Sequence, residues 1–201
     1  MFDPALVPVL DFWCGIPGSP ERDTFREIWF SAATPEFDAQ IRERFLALHE
    51  RAVAGDFMGS MDSVDGCFAL LILFDQFPRN MFRGTARAFA TDPKAREVAA
   101  HAIAQGFDKK VGEVYPVFFY LPYEHSESLA DQERGLELVQ ALGNQRTIDA
   151  SLEHIEVIKR FGRFPHRNAA MGRVSTPDEI EYLKDGKSWG QGAPAGPVVA
   201  K

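Results

Sequence analysis

The sequence predicts an all-α protein, an array of antiparallel helices, and three observations carry that expectation. Apolar residues recur at three- and four-residue steps through most of the chain. Capping residues and glycines punctuate those stretches. The one strand-like run, Cys67 to Phe74, finds no second run to pair with. A short helix is expected around Arg22 to Phe30. The next segment is the clearest, with Phe37, Ile41, Phe45, Leu48 and Ala52 forming one apolar stripe closed by Gly55. Cys67 to Phe74 is apolar on every side, which suits a central buried helix over 62–76 that ends at Phe77, because Pro78 disfavours the helical region for the residue before it. Residues 114–121 stand alone and are interrupted by Pro116.

The second half continues in the same manner. "TDPKAREVAAHAIAQG" offers Thr91 or Asp92 as cap, Pro93 in the first turn and Gly106 as stop, giving a helix over 92–105. Residues 129–142 and 147–161 repeat at helical period, the latter through Ile148, Leu152, Ile155 and Ile158. In "STPDEIEYLKDG", Thr176 caps, Pro177 opens and Glu179 completes a capping box for a helix over 177–185. With the long helix at 36–54, these joined elements read as one helical domain over 1–185, with room for two lobes. Residues 186–201, rich in Gly and Pro, read as an irregular tail with Trp189 as its anchor.

Composition narrows the function classes. A 201-residue chain with 45% hydrophobic residues and 17 Phe has material for a large core. Cys14 and Cys67 sit in apolar surroundings without CxxC spacing, so they read as buried thiols of a reducing compartment. The N-terminus has no basic leader and no apolar run is long enough to span a bilayer, so a cytoplasmic protein with no membrane partner is expected. A net charge of −7 argues against nucleic acid as a partner.

That charge is unevenly spread. Leu73 to Arg87 sets Arg79, Arg83 and Arg87 against Asp75 alone, and Lys159 to Arg173 holds five cations and no acid. Each window contains a Phe-Pro step followed by Arg and Asn, at "FPRN" and "FPHRN". Arginine offers a planar fork of donors that suits carboxylate or phosphate. The two basic turns, ninety residues apart in sequence, are therefore expected to be neighbours in space. The ligand-binding candidates are Arg79, Asn80, Arg163, Arg167, Asn168 and Arg173, together with Glu124 and Glu127 of "YLPYEHSES". Asp75 shares a helix line with Phe68 and Leu71 and should point inward, where Arg79 four residues on would pair with it.

Catalytic candidates are His125 and His166, whose imidazoles titrate near neutral pH, with Asp75 as base or orienting group. His154 reads as a hydrogen-bonded core residue, and His49 and His101 as helix-surface residues. No HExxH, GxGxxG, Walker or GxSxG pattern occurs, so no metal and no cofactor are expected.

Four spaced segments carry a resemblance: "LDFW" at 10–13, "LFDQFPRNMFRG" at 73–84, "YLPYEHSES" at 120–128 and "RFGRFPHRNAAMGR" at 160–173. In this order they resemble a bacterial family catalogued as domain of unknown function 924, with Tyr123 and Met171 as small departures. The resemblance implies an all-α fold of tetratricopeptide-like architecture without the repeat consensus. It also implies that the polar residues of these motifs, Gln76 included, belong to the family pattern, and it brings no established activity. Three readings follow. The first is a polar pocket for a small anionic molecule, possessed or not of an enzymatic reaction. The second is a helical scaffold for an acidic peptide, and the third an ion-pair network that locks helices together.

Overall fold

The structure, a computed structural model, describes residues 1–30 and 33–191. It is an all-helical array, and no strand occurs among the described residues. The α-helices run as α1 Val7–Cys14, α2 Pro35–Ala54, α3 Val64–Leu71, α4 Phe77–Met81, α5 Asp92–Ala104, α6 Val117–Glu124, α7 Leu129–Leu142, α8 Gln145–Phe161 and α9 Pro177–Asp185. Helix ends follow side-chain chemistry. Thr34, Ser63, Ser128, Asn144 and Thr176 each accept from a first-turn amide, and Gly55, Gly143 and Gly162 take the left-handed conformation that releases the chain. The capping box of Thr176 with Glu179 is present as the sequence predicts.

Cys67 to Phe74 is the buried centre. Every residue in it is at most 4% exposed. Against it pack α1, through Trp13 (in ring contact with Trp29, Phe37, Phe77 and Phe118), and the aromatic face of α6. Burial of this many large rings, at about 25 cal/mol per Å² of apolar surface, supplies the main drive for the array. A smaller cluster of Val157, Ile158 and Phe164 gathers Phe161, Tyr182 and Trp189 around it.

Several expectations need correction. The helix does not end at Phe77, whose φ of −60° and ψ of −39° are helical. A π turn at Ile72–Gln76 links α3 to α4, and the Phe77 amide reaches back five residues to the Ile72 carbonyl. The wider turn makes room for Pro78, whose ring would otherwise strike the carbonyl four residues earlier and which has no N–H to offer it. The carbonyls so released find side chains. His49 Nδ1 donates to Leu73 O at 2.9 Å, Thr91 Oγ1 to Phe74 O at 2.6 Å, and Arg79 Nη1 to Asp75 O at 2.7 Å.

Two assignments change as a result. His49 is buried, 4% exposed, and is no surface residue. Thr91 serves Phe74, so α5 starts without a side-chain cap and Asp92 is left for other work. Arg22 to Phe30 forms only a 3-10 turn at Glu27–Trp29. Helices α1 and α6 were missed in sequence because both are short, apolar and crossed by proline, Pro8 in α1 and Pro122 in α6. Within the Gly/Pro-rich tail, residues 192–201 lie outside the described residues.

Candidate functional site

Asp75, on the π turn, is fully interior, and every polar neighbour in reach serves it. His125 Nδ1 lies 2.7 Å from Asp75 Oδ1, Arg79 Nη1 3.1 Å from the same oxygen, and Gln76 Nε2 donates to Oδ2. Burial alone would raise the carboxyl, but Arg79 and His125 outweigh it and hold it down at about 2. An ionised carboxylate only accepts, so His125 must donate through Nδ1, leaving Nε2 as the free ring nitrogen. His125 lies just past the last residue of α6, whose C-terminal turn brings it over the π turn.

Arg79 is shared. Its Nη1 and Nη2 also donate to Asp92 at 2.9 and 3.1 Å, and Asp92 Oδ2 sits 3.5 Å from Arg167 Nη1. Arg79 and Arg167 both lie over the Phe89 ring. The two Phe-Pro segments are thus neighbours, joined through Asp92 and Phe89.

The second segment is largely occupied by acids. Phe164 is extended, as a residue before proline should be, and its amide donates to Glu127 at 2.8 Å. Arg173 grips Glu127 with both Nη atoms at 2.7 and 3.0 Å. Arg163 grips Glu179 with Nε at 2.6 Å and Nη2 at 2.8 Å, which holds that carboxyl down at about 2, and Asn168 adds a bond to Glu179 at 3.2 Å. Burial pushes the Arg167 guanidinium down to about 10, and stacking between Phe89 and Phe164 offsets part of its lost hydration. Burial, with Arg167 beside it, pushes His166 down to about 2, so His166 is neutral at physiological pH.

A cavity of about 1640 Å³ opens beside the first segment. Gln76, Arg79, Asn80, Glu124, His125 and His154 line its polar end, with Asp38 and Arg83 close by. Asp38 accepts from Asn80 at 2.8 Å and from Arg83 at 2.7 and 2.8 Å. Phe25, Trp29, Phe30, Val114, Val117 and Leu121 supply an apolar wall. Phe25 and Phe30 stack at 6.0 Å and remain about 40% exposed. Arg163, Arg167, Asn168, Arg173, Glu127 and His166 do not line this cavity. The structure therefore separates the candidates into a cavity group around His125 and a paired group around Glu127 and Glu179.

His154 joins the cavity group. Its Nδ1 donates to Ala150 O at 2.8 Å, and burial pushes its pKa below the usual imidazole value. Its ring centre is 6.4 Å from that of His125. Nδ1 also lies 3.5 Å from Glu124 Oε1, and Ser151 Oγ donates to Glu124 Oε2. For neither histidine does Nε2 have a hydrogen-bond partner among the described residues. No cluster of three or more metal-ligating side chains occurs among the described residues. Sequence reasoning missed Asp38 and Asp92 because each sits in a first helical turn, where an acid is explained by the helix alone. It gave Trp189 a role only as anchor.

The fold and site define a class: a helical array whose interior carboxylate–imidazole pair opens onto a cavity with one polar and one aromatic side. The chain belongs to the family described as bacterial protein of unknown function (DUF924), whose family model matches residues 9–187. It is similar to a solved structure of the protein of unknown function ATU0120 from Agrobacterium tumefaciens, with 40% identity, a TM-score of 0.81, and coverage of 90% of this chain and 98% of that one. No curated protein matches the chain. No helix among the described residues is long and apolar enough to cross a membrane.

Proposed function

We propose that the cavity binds a small organic molecule with an apolar body and an anionic end, and that His125 moves a proton on it. The observation that carries this reading is the Asp75–His125 pair, 2.7 Å apart, whose free Nε2 belongs to a residue lining the cavity. Asp75 fixes the imidazole tautomer and stabilises the imidazolium that forms when Nε2 takes a proton from a ligand hydroxyl or a water. The apolar wall of Phe25, Trp29 and Phe30 suits the body of such a ligand. For its anionic end, the lining supplies the cationic groups of Arg79, Arg83, Lys109, Arg146 and Lys187. Arg79, Arg83, Arg146 and Lys187 already pair with carboxylates, so they act on a ligand mainly through field.

For the second Phe-Pro segment we propose the structural role instead. Its support is the two-pronged pairing of Arg163 with Glu179 and of Arg173 with Glu127.

Thermal-shift titration with aryl and alkyl carboxylates and phosphates tests the reading. At a hundred times Kd a true ligand adds roughly 2.7 kcal/mol of stability. Turnover of that ligand or of its esters, followed by NMR, should then fall at least about a hundredfold in His125→Gln. No stabilisation across the whole panel, or turnover unchanged in His125→Gln, refutes it.

A further inference from the structure

The polar end of the cavity is bordered by the segment Lys187–Gln191. Lys187, Trp189, Gly190 and Gln191 all line it. Trp189 lays its indole over His154, with ring centres 4.1 Å apart and planes tilted by 30°, and it also touches Phe164 and His166. His154 keeps only 5% of its surface. The ring of His154, which faces that of His125, is therefore covered in part by this segment.

The cover is held under tension. Trp189 has a φ of +43°, a left-handed conformation that a residue with a Cβ adopts at a cost. Its indole Nε1 is buried with no partner among the described residues, and so is Gln191 Oε1, so closure strands two polar atoms that would be hydrated if the segment lifted. The polar restraints are few: an exposed ion pair of Lys187 with Glu153 at 2.6 Å, and the Gly190 carbonyl accepting from Arg83 Nη1. Two glycines flank the indole. Gly190 is left-handed, at φ +78°, and Gly186 packs so closely on Tyr182 that a Cβ there would lie 2.6 Å from its ring.

We propose that Lys187–Gln191 is a strap that closes over His154, beside His125, and lifts to admit the ligand, with Trp189 as its latch. Stacking on His154 and Phe164 favours the closed state, while the strained backbone and stranded atoms oppose it, so the two states lie close in energy. Once a molecule is inside, the indole closes over it and excludes water from His125. The inference rests on the ligand-binding reading above, yet its test needs no ligand.

Carbethoxylation of His154 by diethyl pyrocarbonate, followed by peptide mass mapping of the full chain, reads the opening. A minor open state populated at about 0.1–10% sets the expectation that Trp189→Ala reacts about 10- to 1,000-fold faster than wild type at His154. A ratio below 10 means that the indole does not guard the ring, and one above 1,000 that the strap releases only with wider unfolding. Either result overturns the proposal. Lys187→Ala keeps the indole and removes only the exposed pair, so a true strap should open roughly two- to fivefold more often. An unchanged rate in that variant also counts against a moving strap. His125, modified in the same samples, should lose reactivity in Asp75→Asn, and that outcome judges the proton-transfer reading separately.

Discussion

Arg79→Ala is the most informative single change, because Arg79 stands between two interior carboxylates. The substitution removes the 2.9 and 3.1 Å bonds to Asp92, the 3.1 Å contact with Asp75 and the 2.7 Å bond to the Asp75 carbonyl. Asp75 keeps His125 and Gln76, while Asp92 keeps, among the described residues, only Arg167 at 3.5 Å. Both side chains are at most 8% exposed, so water cannot replace the guanidinium. Removing one partner of such a buried group costs roughly 3–5 kcal/mol. In a chain of this size each kcal/mol lowers Tm by about 2–4 °C, so a fall of roughly 6–20 °C is expected. Thermal and urea denaturation at pH 7 measure it. Adding Asp92→Asn to Arg79→Ala should recover part of the loss, since one stranded charge is gone. A fall in Tm below about 3 °C, or no recovery in the double variant, would refute the idea that Arg79 holds the interior together.

Two further outcomes follow from the same geometry. Gly66→Ala should destabilise by about 1–3 kcal/mol in urea denaturation, because the added Cβ would lie 1.9 Å from the Ser60 carbonyl oxygen and α3 would have to move off the 3-10 turn at Met58–Asp62. Acid should weaken the fold before its carboxylates titrate. Burial holds His154 and His166 below the usual imidazole value, His166 at about 2, so the unfolded chain binds more protons than the folded one below about pH 6.5. This stability is complete above pH 6.5 and is lost as pH falls, by about 1.4 kcal/mol per pH unit for each histidine involved. His166→Gln should flatten the slope between pH 6 and 4.5, and an equal slope in both proteins speaks against a buried neutral His166. Asp75 and Glu179, both held at about 2, add their own loss below pH 4, where unfolded carboxylates begin to protonate.

Local order is what the sequence determined by itself. The stripes of α2 and α8, the cap at Thr176 and the apolar Cys67–Phe74 centre are all short-range patterns, and each produced a helix where expected. The inward direction of Asp75 and its pairing with Arg79 were legible for the same reason, being four residues apart on one helical line. Partners distant in sequence were decided only by tertiary structure. Nothing near Pro78 announces that His49 and Thr91 will take the carbonyls it frees, so the π turn could not be anticipated and Phe-Pro read as a helix end. Likewise, Arg163 and Arg173 look like free cations until α9 delivers Glu179 and the α6–α7 turn delivers Glu127. Composition states how many arginines a chain has. Only packing states which carboxylate each one meets, because the cost of burying a charge is settled by the group opposite and not by its neighbours in sequence.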